Sequence, residues 1–177
     1  TKHAGNKDLI LDEMSYQLES GRTEEAEKSV VEAIAADPEN AVLYSILGSL
    51  YDAKANPKEG PAPAEADVAK WTDMAEENYK KSLERDPKFF DAYFNIGVLY
   101  NNRAATCYSK ANGIKDNTAY EKAKTACDAV FVKAVPYFEK AHELRPDDVQ
   151  TIQQLMKLYA KTDDQAKYAA MKAKLGQ

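Results

Sequence analysis

Three prolines, Pro38, Pro87 and Pro146, each close the same short pattern of side chains, and this recurrence constrains the fold more than any other feature of the 177 residues. Counting back from Pro87 gives Ser82, Tyr79 and Ala75. The same offsets give Ala141, Phe138 and Ala134 before Pro146, and Ala33, Val30 and Ala26 before Pro38. Steps of three and four residues put such a set on one helix face. Small residues there admit a neighbouring helix, and the larger one fills the gap. The residue before a proline avoids the helical region, so each helix stops at its own proline. A second pattern follows each stop: Tyr44, Leu47, Gly48, Tyr51; then Tyr93, Ile96, Gly97, Tyr100; then Ile152, Leu155, Met156, Tyr159. Glycine inside a helix costs about 1 kcal/mol against alanine. Gly48 and Gly97 at one offset therefore predict a close helix crossing. An ordinary bundle with apolar stripes would not place glycine and proline at repeated offsets.

These registered positions resemble the tetratricopeptide repeat, a helix-turn-helix unit of about 34 residues. The resemblance covers about residues 7–175 and implies an all-α fold, an α-solenoid of about four helix-turn-helix repeats forming a single domain. The repeats fall at about 7–38, 40–87, 89–146 and 147–175, and the first is degenerate, with Met14 where later ones carry glycine. Two units are stretched, because Pro38 to Pro87 spans 49 residues and Pro87 to Pro146 spans 59.

The extra length has a local reading. Pro57, Gly60, Pro61 and Pro63 make a surface loop, since three prolines and a glycine do not continue a helix. The following helix, from about Ala64, is extended at its start and carries Trp71, read as a lid over the end of the first helix. In the third unit Phe89 to Ala111 overruns its usual end and stops at Asn112-Gly113. A long returning helix then runs from about Asn117 to Leu144, with a kink at Pro136. Tyr100, Ala104, Cys107, Tyr108 and Ala111 face Tyr120, Ala123, Cys127, Val130 and Ala134, which predicts an extended antiparallel helical hairpin. A short loop would offset Cys107 and Cys127 by several ångströms along the axis, so the expected state is a pair of free thiols. Thr23 is the expected cap of its helix, with Glu24 and Glu25 against the positive helix end. Pro146-Asp147-Asp148 and Asp163-Asp164 open the last two helices.

Composition narrows the function. The net charge is −5, with −8 on residues 1–90 and +3 on 91–177. With only four arginines and no basic stripe, nucleic acid is not an expected partner. No run of eighteen apolar residues is present, so no membrane span is expected. His3 and His142 are far apart, and His142 reads as an exposed helix residue. No phosphate loop or metal-ligand spacing appears, so no catalysis, cofactor or metal is expected. The acidic pairs sit mostly in first helical turns, where the helix dipole accounts for them. The chain begins Thr1-Lys2-His3 without an initiator Met and reads as a fragment or processed form. It is read as soluble, cytoplasmic, or periplasmic or exported if an upstream signal was removed.

The resemblance implies a protein-interaction adaptor or scaffold that holds an extended segment of a partner protein in the concave groove lined by the first helices. Carried onto this sequence, the groove positions are Val42, Ile46 and Ser49; Asp91, Phe94, Asn95, Val98, Asn101 and Asn102; and Gln150, Gln153, Gln154 and Lys157. Amides both donate to and accept from a peptide backbone. Asn95 matches the asparagine of the family's carboxylate clamp, but Gln150 and Gln154 stand where the clamp needs basic residues, which argues against it. The alternative is an accessory subunit of a cell-envelope or secretory assembly that docks through the 103–127 hairpin. That hairpin carries Arg103, Lys110, Lys115, Lys122 and Lys124 against Asp116 and Glu121, which predicts a monomer or weak, salt-sensitive self-association.

Overall fold

The computed structural model describes residues 22–57 and 60–176 and is helical, with no strand among the described residues. The described residues divide into two compact units, which part between Ala92 and Tyr93.

The first unit contains α1 (Thr23–Ala36), α2 (Ala41–Ala55) and α3 (Glu65–Arg85). Arg22 occupies the cap position of α1, and Thr23 is its first helical residue, bonding through its hydroxyl to Glu24. The expected Thr23 cap is thus displaced by one residue, and among the described residues no side chain makes a capping hydrogen bond at this end. Asn40 caps α2 by accepting from the Val42 amide. The close crossing predicted from Gly48 is present between α2 and α3: a Cβ on Gly48 would lie 2.7 Å from ring carbons of Tyr79. Tyr79 is fully buried, and its hydroxyl shares a hydrogen bond with Ser49 Oγ at 3.1 Å. Tyr51 donates to Glu27 at 2.7 Å, and Lys54 pairs with the same carboxylate, so α2 is tied to α1. Arg85 closes the unit by donating to the Pro38 carbonyl at 3.3 Å while lying over the Tyr44 ring.

The second unit contains most of α4 (Phe90–Ala111), with α5 (Asn117–Val132), α6 (Val135–Leu144), α7 (Val149–Lys161) and α8 (Gln165–Lys174). The crossing repeats here. A Cβ on Gly97 would lie 2.7 Å from ring carbons of Phe138, which sits eight residues before its proline as Tyr79 does. The position after each glycine changes with the knob. Ser49 serves the hydroxyl of Tyr79, and Val98 stands at the matching position where the knob is a bare phenyl ring.

The returning helix is two helices and not one kinked rod. α5 ends at Val132, two tight turns follow through Lys133 and Ala134, and α6 begins with Pro136 in its first turn. Proline offers no amide to the carbonyl four residues back, Val132, and its ring crowds that carbonyl.

The hairpin register also differs from expectation. Cys107 and Cys127 form a disulfide, with Cα atoms 5.4 Å apart. The chain does not reverse at Asn112-Gly113. Helical winding continues as Gly113 donates to the Lys110 carbonyl and Ile114 to that of Ala111. Ile114 therefore stands about 10 Å above Cys107, and Asn117 about 15 Å above Cys127, at 1.5 Å per residue. Lys115 and Asp116 take up the difference, so the two sulfurs meet.

Asp148 caps α7 by accepting from Thr151, and Asp164 caps α8 by accepting from Lys167. Between them Asp163 adopts a left-handed conformation, φ 56°, so that the Asp164 amide reaches back to the Tyr159 carbonyl. Such a closure satisfies the last carbonyls of a helix.

Candidate functional site

Helical periodicity gives each first helix two faces. One packs inward; the other carries the positions expected to meet a partner. On α2 these are Val42, Ile46 and Ser49, all half-buried and spaced by four and three residues. Ser49 also donates to the Ser45 carbonyl at 3.1 Å, so its hydroxyl is committed to the α2–α3 contact.

In the second unit the face is broader. On α4, Asp91, at the end of the first unit, and Asn102 are exposed, while Phe94, Asn95, Val98 and Asn101 are half-buried. Phe94 meets Phe138 edge-on at 5.6 Å, which makes it part of the packing behind the face. On α7, Gln150, Gln153 and Lys157 are exposed and Gln154 is half-buried, at steps of three, one and three residues along one face. The structure brings the two helices together at the amides: Asn101 Nδ2 donates to Gln154 Oε1 at 3.1 Å. Asn101 Oδ1 is buried and accepts no hydrogen bond from the described residues. A buried acceptor without a donor costs about 1–3 kcal/mol.

Three charged clusters beyond the face were not anticipated from the sequence, although the tyrosine offset was the signal for two of them. Tyr51 and Tyr159 occupy matching repeat positions, and each donates to a glutamate on a neighbouring helix, Glu27 and Glu139. Lys54 completes the first cluster, and Lys167, at 2.8 Å, the second. Burial raises the pKa of both carboxylates, but the lysine and tyrosine hydrogen bonds outweigh it and hold them below the ordinary range. Burial and these carboxylates push both tyrosines up. The third cluster braces the hairpin base. Tyr108 donates to Asp128, and Lys161 lies 3.4 Å from the same carboxylate and 4.1 Å from the centre of the Tyr108 ring. The Tyr108 hydrogen bond, ahead of Lys161, holds Asp128 below the usual carboxylate range.

The basic excess of the hairpin is partly neutralised within it, since Lys124 reaches Glu121 at 4.0 Å and Asp128 at 3.8 Å. His142 is half-buried and not exposed. It lies beside buried Ala141, with Nδ1 buried and without a hydrogen bond; burial and then Lys174 lower its pKa, against Asp147. Trp71 is half-buried on α3. His3 and Met14 lie outside the described residues. Among the described residues no group of three or more His, Cys, Asp or Glu is placed to hold a metal ion. No helix there is long and apolar enough to cross a membrane.

Residues 78–117, from the end of α3 to the start of α5, match the family model described as tetratricopeptide repeat. No curated protein matches the chain significantly. A crystal structure of MamA resembles it with a TM-score of 0.63 and 15% identity, over 98% of this chain and 78% of that one. A MamA mutant structure resembles it with a TM-score of 0.57 and 17% identity, over 97% and 76%. These are likenesses of fold: the described residues are helical, and the chain resembles solenoids of tetratricopeptide repeats. That fold generally serves protein interaction and is typically non-catalytic.

Proposed function

We propose that this chain, which carries a tetratricopeptide repeat and resembles solenoids of such repeats, is an adaptor that binds an extended segment of another protein. In this reading the four units at about 7–38, 40–87, 89–146 and 147–175 form one interaction domain. The observation that carries the proposal is the Asn101–Gln154 amide pair, which joins the faces of α4 and α7 into one polar wall. The surrounding positions are Asn95, Val98, Asn102, Gln150, Gln153 and Lys157. Amides satisfy both the N–H and the C=O of an extended backbone, and half-buried Val98 offers apolar contact for a side chain. Val42 and Ile46 on α2 and Asp91 on α4 are proposed as further contact positions, each within its own unit, and Ser49 and Phe94 are proposed to act by holding the faces on which they sit.

The test is peptide-display selection on the immobilised chain, followed by affinity measurement on the selected peptides. Asn95→Ala and Gln153→Ala should each weaken binding about five-fold or more, since a lost hydrogen bond is worth about 1 kcal/mol net. The melting temperature should not move. Selected peptides insensitive to both substitutions would refute binding at this wall.

A second reading is favoured by the Cys107–Cys127 disulfide. Disulfides persist mainly in oxidising compartments. That suits an accessory subunit of a cell-envelope or secretory assembly docking through residues 103–127. Deleting the hairpin would then abolish co-purification with the assembly, while changes at Asn95 and Gln153 would not.

A further inference from the structure

We propose that the Cys107–Cys127 disulfide is a conditional clamp: a dithiol reductant releases the hairpin tip, residues 109–126, from order while the rest of the second unit stays folded. The inference is independent of what the α4–α7 wall binds.

Its basis is where burial stops. Below the disulfide the hairpin helices belong to the core, with Tyr100, Ala104 and Ala134 buried. Above it, of residues 109–126, Ala111 alone is buried, and Ile114 at the tip is exposed. Ala111 with half-buried Tyr120 and Ala123 supplies little apolar area, and helical segments this short are marginal in water without packing. Among the described contacts, two at the base hold them together. One is the disulfide, whose partners stand 20 residues apart in sequence. The other is the Tyr108–Asp128–Lys161 cluster, whose charged members are about 40% exposed and so contribute weakly. The covalent bond is therefore the dominant restraint on the tip.

Exposure also sets the direction of the exchange. Cys127 is fully buried and Cys107 half-buried. A thiolate of the reductant attacks Cys107 Sγ, forming a mixed disulfide there and expelling Cys127 as a thiolate, which takes a proton from water. The second thiol of the reductant, deprotonated, attacks its own sulfur in that mixed bond. Cys107 leaves as a thiolate and is protonated in turn. Two electrons pass from the dithiol to the protein, and the reductant ends as a cyclic disulfide. With the clamp open the tip frays and no longer presents Ile114, Lys115 and Lys122 on an ordered rod.

Hydrogen exchange with mass spectrometry on the whole chain, oxidised and after dithiothreitol, tests this. The protein isolated without reductant should show a two-proton mass deficit and resist alkylation. On reduction the amides of 109–126 should exchange about ten-fold faster or more, less than the full loop entropy of such a disulfide because the folded base still holds the ends of the tip. Amides of α3 and α7 should keep their protection, and re-oxidation should restore the tip. Alkylation of both cysteines before reduction, unchanged protection of 109–126, or uniform loss of protection across all helices would each overturn the proposal.

Discussion

Gly97→Ala isolates the contact that defines the repeat. The new Cβ would fall 2.7 Å from Cε2 and Cζ of Phe138, whereas carbons pack comfortably at about 3.5–4.0 Å. The ring must therefore retreat by about 1 Å. It has little room to do so, being fully buried and held edge-on by Phe94. Overpacking of this kind costs about 1–3 kcal/mol. Alanine returns about 1 kcal/mol through its helix propensity. The net expectation is a loss of about 1 kcal/mol, or about 2–4 °C in melting temperature for a chain of this size. Urea unfolding followed by far-ultraviolet circular dichroism measures it. A double-mutant cycle supplies the control: with Phe138→Leu the ring is gone, and Gly97→Ala should then be neutral or stabilising. A wild-type chain stabilised by about 1 kcal/mol on Gly97→Ala would show propensity acting alone and refute the close approach.

Acid should weaken the fold through Glu27 and Glu139, whose folded pKa values lie below the ordinary 4.5. A depressed carboxylate contributes stability that is present above the unfolded value and lost as pH falls through the folded one. Melting temperature followed downward from neutral pH should therefore drop below about pH 4.5, and less steeply for Glu27→Gln; parallel curves would count against the Glu27–Tyr51–Lys54 cluster. At Asp163, φ 56°, Asp163→Gly should be stabilising by about 0.5 kcal/mol, whereas Asp163→Val should cost about 1–2 kcal/mol in the same urea assay. Equal stability for the two variants would mean that the left-handed turn before α8 is not retained.

The repeat register was legible in the sequence because it is local and periodic. Proline ends the helix that runs into it, and a glycine recurring at one offset signals that a neighbour comes too close for a side chain. Tyr79 against Gly48 and Phe138 against Gly97 follow from that rule, one in each unit. Helix starts at Asn40, Asp148 and Asp164 were equally readable, since a cap bonds within its own first turn. What the tertiary structure decided is where separate segments meet. Cys107 and Cys127 were placed on facing seams from the sequence, but whether they bond depended on how far the chain climbs before it turns. Two further residues of winding at Gly113 and Ile114 brought them opposite each other. Lys161, at the end of α7, meets Tyr108 and Asp128 only because packing carries it there. Likewise Asn101 and Gln154 were two amides on two surfaces, and only the packing of α4 beside α7 made them a pair. Periodicity fixes which face a residue occupies. The height and rotation at which two faces meet depend on loop path and side-chain packing summed over the whole unit.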